Sequence, residues 1–243
     1  MASMEPHPPT DISDFRLSSV AFECRFSPAY LHWDRAGAIW SELASRYPTV
    51  KLLKAEPNRT AFRLESRFEF QIQLDQFNVS GHNPAPALDE FSRIAEDFGE
   101  TVVRQVGIEQ YSRIGLRSIF VREYPDRDPA SAAMLGMRLL WNPTSPCFGV
   151  SDAPVLPSYG LRWEDKVKGC LVRLFVGQRE YEFEPPFGWE GVEPKDVKKT
   201  DLAVDVDYYT VAAAAVGQVK ISEWIRQSMH VVRRDINRFL GSR

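Results

Sequence analysis

FRLESRFEFQIQL, residues 62–74, decides the fold class. Phe62, Leu64, Phe68, Phe70, Ile72 and Leu74 keep a period of two. Arg63, Glu65, Arg67, Glu69, Gln71 and Gln73 fill the alternate positions. Successive side chains of a strand point to opposite faces. The stretch therefore predicts antiparallel strands with one apolar and one wet face. A turn near Ser66 splits it into a hairpin.

Working upstream, residues 50–55 read as a short strand and residues 17–26, LSSVAFECRF, as another. Ser27-Pro28 is a helix-opening pair. The helix it opens runs to about Tyr47, with Ala36, Ile39, Trp40, Leu43 and Tyr47 on one face, and Pro48 stops it. Downstream, SGHNPAP reads as a loop. A second helix begins near Ala87 with the stripe Leu88, Phe91, Ile94, Ala95 and Phe98, and Gly99 is its expected C-cap. Residues 106–121 carry a long strand pattern.

The series then begins again. Asp128-Pro129 opens a helix to about Leu140, followed by a Pro-rich loop over 142–157. Strands are expected at 161–163, 169–176, 179–183 and 199–211. A closing helix spans about 219–240, with Ile221, Trp224, Ile225, Val232, Ile236 and Phe239 as its apolar face. The expected fold class is α+β, a mainly antiparallel sheet with helices packed on one face. Its two halves follow a similar β-α-β-β-β-α order, a structural duplication. Residues 1–16 read as a flexible arm, 17–113 as the first half and 114–243 as the second, with one continuous domain left open. Joining the halves edge to edge removes two exposed strand edges.

The chain has 243 residues, of which 44% are hydrophobic and 26% charged, enough apolar material for a proper core. This composition excludes a disordered chain. Thirty basic residues against 33 acidic ones give a net charge of −3, which argues against a general nucleic-acid binder. No apolar run is long enough for a membrane span. The opening MASMEPHPPTDISD has no signal-peptide core. Three scattered cysteines, Cys24, Cys147 and Cys170, suggest reduced thiols in a cytoplasm.

Three segments also carry a resemblance. They are FECRFSP with the Trp-rich helix ending in SRYP, FEFQIQLDQFNVSG with DEFSRIAEDFGE and VGIEQYSRIGLRSIFV, and TDLAVDVDYYT with MHVVRRDINRFL. In this order the chain resembles a sporadically distributed family of uncharacterised bacterial proteins of about this length. The resemblance spans residues 17–240. It implies a bacterial, cytoplasmic protein, an accessory factor in a defence-linked or mobile gene cluster. Its motifs are signatures of strands and helices and bring no catalytic residues with them.

The chemistry-bearing candidates are few. In TDLAVDVDYYT, Asp201, Asp205 and Asp207 share a strand face, where carboxylates can bind hard cations or work as acid and base. Arg113 and Arg117 flank Gly115 on another strand. If the strands are neighbours, the opposite charges meet as a ladder, and this reading is favoured over a metal site. Arg226, His230, Arg233 and Arg234 form a basic flank on the closing helix. Cations near a helix C-terminus complement its dipole, so a solvated face explains most of them. Trp189, in GWEG, sits on a stiff loop suited either to a partner or to its own domain. His7, His32, His82 and His230 lack metal spacing, and no nucleotide-loop, hydrolase-elbow or dinucleotide motif is present. No cofactor and no metal are expected.

Three functions remain. The leading one is a non-enzymatic binding or protein-interaction module for a protein partner or small ligand, with a homodimer left open. The second is an enzyme using Asp205, Asp207, Arg113 and Arg117. The third is a nucleic-acid-associated factor using the basic C-terminal helix.

Overall fold

The computed structural model describes residues 11–82, 85–137, 157–183 and 195–241. Trp189, Trp141, Cys147, His7 and the Pro-rich loop over 142–156 lie outside the described residues, as do positions 1–10 of the expected arm. The elements run β1 (Arg16–Arg25), α1 (Leu31–Arg46), β2 (Val50–Glu56), β3 (Arg59–Leu64), β4 (Phe68–Gln73), β5 (Gln76–His82) and α2 (Leu88–Val106). Then come β6 (Gln110–Tyr111), β7 (Arg113–Tyr124), α3 (Arg127–Gly136), β8 (Ser158–Glu164), β9 (Lys168–Phe183), β10 (Lys195–Thr210), β11 (Ala214–Ala215) and α4 (Ile221–Gly241).

Nine strands form one sheet in the order β2-β3-β4-β5-β1-β7-β10-β9-β8, every pairing antiparallel. The fold is α+β. β1 and β7 sit side by side at the centre. β5 returns beside β1, and β10 returns beside β7. In each half a strand and a helix precede a meander whose last strand pairs with the first, and a long helix follows.

Alternation decides the two faces. Val20, Phe22 and Cys24 of β1, Ile114 and Leu116 of β7 and Val204 and Val206 of β10 are buried in one cluster with Ile39, Phe91, Phe98, Met134, Ile225 and Ile236 of the four helices. The core therefore lies between this face and the helices. Phe77 is at its centre, its ring 6.3 Å from those of Phe22 and Phe26 and 5.9 Å from that of Phe98.

Several expectations are corrected. SGH is not loop, because β5 reaches His82. Gly81 hides the alternation: its missing side chain is where Pro86 packs, with Cδ 2.6 Å from an added Cβ. The first half thus has one strand more than the expected unit. Gly99 does not cap α2. It lies within the helix, where an added Cβ would meet Ile221 of α4 and come within 3.4 Å of Phe77, so it permits close helix approach. The cap is Gly107, in the left-handed region at φ 76. Residues 169–176 and 179–183 belong to one strand, β9. Trp40, placed with the apolar face of α1, is exposed, as is Trp33. The arm is tied down from Asp11 onward: Ile12 N donates to Asn237 Oδ1 at 2.7 Å, and Phe15 is buried in the core.

A polar clasp joins α1 to α2. Glu42 accepts from Arg104, from Thr101 Oγ1 at 2.9 Å and from Gln105 Nε2 at 3.3 Å. Asp97 accepts from the Tyr47 hydroxyl and pairs with Arg46 at 3.0 Å. The Arg104 hydrogen bond is the main cause holding the Glu42 carboxyl down at about 2. A folded-state value below the unfolded one adds stability above the ordinary carboxylate range, lost as pH falls towards it. The gap in urea midpoint between the protein and Glu42→Gln is therefore expected to shrink as pH falls from about 4.5 to about 2. A gap constant with pH would contradict the clasp.

Candidate functional site

The candidate site lies on the second face of the sheet, opposite the core. One row of directly paired residues crosses it: Gln71 (β4), Asn78 (β5), Glu23 (β1), Gly115 (β7), Tyr209 (β10), Gly169 (β9) and Glu164 (β8). The two glycines explain its form. Arg113 lays its guanidinium over Gly115, with Nη1 3.1 Å from an added Cβ. Tyr209 lays its ring over Gly169 and donates its hydroxyl to Glu164 Oε2 at 2.6 Å. The Arg113 guanidinium also stacks on the Tyr209 ring, 4.5 Å from its centroid.

Lying flat, Arg113 bridges three strands. Nη1 donates to Glu23 Oε1 at 2.7 Å, and Nη2 donates to both Asp207 oxygens at 3.0 and 2.8 Å. Arg25 Nε donates to the same Glu23 oxygen at 2.8 Å. Arg117 stands directly opposite Asp207 yet bonds diagonally to Asp205, Nε and Nη2 each at 2.8 Å. Arg173 of β9 donates to Asp205 Oδ2 at 3.2 Å. Long side chains reach diagonal partners on one sheet face. The Asp and Arg residues meet as expected, but along diagonals: Arg117 reaches Asp205 two residues from its register partner, and Arg113 reaches Asp207 four residues from the position opposite it.

The electrostatics follow. Asp205, 2% exposed, lies beneath two guanidiniums. The Asp205 hydrogen bond raises the Arg117 value. Burial pushes the Asp207 carboxyl up, and Arg113 pulls it the other way. Arg25, Arg117 and Arg173 stay about half-exposed, with side-chain values of 51%, 51% and 49%. Ala21 and Gly115 floor a depression of about 370 Å³ among Glu23, Arg25, Asn78, Arg113, Arg117 and Asp207. Its arginines outnumber its carboxylates three to two.

This arrangement suits recognition better than proton transfer. Its carboxylates already accept charge-assisted hydrogen bonds. A reacting group reaches Asp205 only by displacing arginines. Among the described residues, no group of three or more His, Cys, Asp or Glu side chains is placed to hold a metal ion. Cys24 faces the core, where burial raises its thiol well above the ordinary range, and Cys170 is pushed up to about 11.

The structure brings Asp205, Asp207, Arg113 and Arg117 together. It leaves the helix candidates apart from them. Arg226, His230, Arg233 and Arg234 are exposed on α4. Arg234 forks onto Asp235 at 2.8 and 2.9 Å, and Arg226 comes only within 3.8 Å of Asp89. Sequence reasoning missed Glu23, Arg25, Asn78, Arg173 and Tyr209. The alternation in FECR and in LVRLF held the signal for Glu23, Arg25 and Arg173, but strand order was needed to join them.

The chain matches no family model and no curated protein. Among the described residues, no helix is long and apolar enough to cross a membrane.

Proposed function

We propose that the protein is a non-enzymatic binding module that engages a protein partner or ligand through the second face of its sheet. The observation that carries this reading is Arg113, held flat over Gly115 between Glu23 and Asp207 and stacked on Tyr209. Such a group is already ordered, so little entropy is lost when a partner meets it. Half-exposed Arg25, Arg117 and Arg173 around it supply directional donors for acidic or amide groups. The family-like motifs support a cytoplasmic bacterial accessory factor, in a defence-linked or mobile gene cluster. The order of elements common to both halves supports a duplicated unit.

The test is affinity capture from extract of the source cells, run with and without nuclease treatment. The full chain is compared with an Arg25→Glu/Arg117→Glu variant of matched urea midpoint. One stoichiometric species retained by the first and lost by the second is expected. The same species on both overturns the reading. Retention that disappears with nuclease treatment moves the assignment to nucleic acid and the basic face of α4.

A further inference from the structure

A second cavity lies on the other side of the sheet, between the C-terminal half of α4 and strands β8–β10. We propose that it binds a small uncharged molecule carrying an aromatic or aliphatic ring. The cavity holds about 420 Å³ and is walled by Trp163, Cys170, Tyr208, Val232, Ile236 and Phe239. Protein interiors keep few voids larger than one water molecule, whereas ligand pockets begin at roughly 300 Å³. Three elements fixed by the common core shape its walls: Val172 of β9, Val206 of β10, and Val232 and Ile236 of α4 are all buried there. The space therefore cannot close by a side-chain shift alone.

The topology explains the gap. In the first half α1 packs along α2, while in the second α3 packs on β10, β9 and β7. Among the described residues, the region below β8 beside α4 is left to this cavity.

Charge defines the occupant. Asp235 is the one carboxylate among the described lining residues. It already accepts from Arg234 Nε and Nη2 at 2.8 and 2.9 Å and from Arg238 Nη1 at 3.4 Å. A cationic ligand finds no free counter-charge, and an anionic one would compete with Asp235 for its arginines. An uncharged ligand leaves these pairs intact and removes apolar wall from water. Half-exposed Trp163 stands edge-on to Phe239 at 6.4 Å, an aromatic corner suited to a flat ring. The Tyr208 hydroxyl and the Trp163 indole N–H give one acceptor and two donors for orientation. Burial keeps Cys170 a neutral thiol, so it adds no charge beside the Asp235–Arg238 pair.

The test titrates the full chain with N-phenyl-1-naphthylamine, an uncharged fluorescent amine, following energy transfer from tryptophan. Val231→Phe on α4 and Cys170→Phe on β9 fill the cavity from opposite walls. Trp33→Ala removes an exposed aromatic elsewhere. Expected are saturable one-site binding, a loss of about tenfold or more in both filled variants, and no change in Trp33→Ala. Absence of saturable binding, equal binding by the filled variants, or a loss confined to Trp33→Ala overturns the proposal. So does a dimer in which the probe does not bind, since a second copy would then occupy the cavity. If a filled variant does not fold, saturating probe must raise the urea midpoint of the unaltered protein. No rise also overturns the proposal.

Discussion

Replacing Arg113 by alanine is expected to lower the unfolding free energy by about 3 kcal/mol, read from the urea midpoint. The side chain is only 21% exposed and Asp207 only 27%, so solvent screens the pair weakly. Without Arg113, Asp207 loses both hydrogen bonds from Nη2, and Glu23 keeps only Arg25. Removing one partner of such a pair costs more than the pair contributes, because a desolvated charge is left behind. Arg113→Lys keeps the charge but not the fork, and is expected to recover less than half of the loss. Adding Asp207→Asn to Arg113→Ala removes the stranded charge, so the double variant is expected to be more stable than the single. The pH dependence has a definite sign. Burial already raises Asp207, and losing Arg113 raises it further. A raised folded-state value stabilises at low pH and is lost as pH rises through it. The deficit of Arg113→Ala is therefore smaller near pH ~4 than near pH ~7. A deficit below about 0.5 kcal/mol at neutral pH would show the network to be ordinary surface pairing.

Phe77→Ala is expected to cost still more, about 4 kcal/mol by the same measurement. Phe77 is fully buried and meets the rings of Phe22, Phe26, Phe98 and Tyr111. It connects β1 to α2 at the centre of the sheet. Gly99 brings α2 close to it and Ile221 brings α4 to the same spot, so the surroundings cannot collapse without moving two helices. Phe77→Leu, which keeps most of the volume, is expected to lose about 1.5 kcal/mol or less. Equal losses for the two variants would mean that the site tolerates collapse.

Local pattern made much of this fold legible. The alternation over 62–74 became β3 and β4, and the stripe from Leu88 to Phe98 became the core face of α2. Where the pattern misled, a glycine was responsible. Gly81 looked like loop because Pro86 occupies the space of its side chain. Gly99 looked like a cap because a helix interior rarely admits glycine, yet here it lets Ile221 in. The site was half legible for a related reason. Asp205, Asp207, Arg113 and Arg117 stood out as charges at strand spacing. Glu23 and Arg173 come from strands whose neighbours depend on long-range pairing, and no local pattern encodes that. Gly115 and Gly169 gave no chemical signal at all, although the flat placement of Arg113 and Tyr209 depends on them.

Arginine footprinting with phenylglyoxal, read by peptide mass spectrometry on the full chain alone and on the captured complex, is the most direct test of recognition by the sheet. Protection of Arg25 and Arg117, with unchanged modification of Arg226 and Arg233 on α4, is the expected result. Protection confined to Arg226, Arg233 and Arg234, with Arg25 and Arg117 modified as in the free chain, would contradict it and place the partner on the helix.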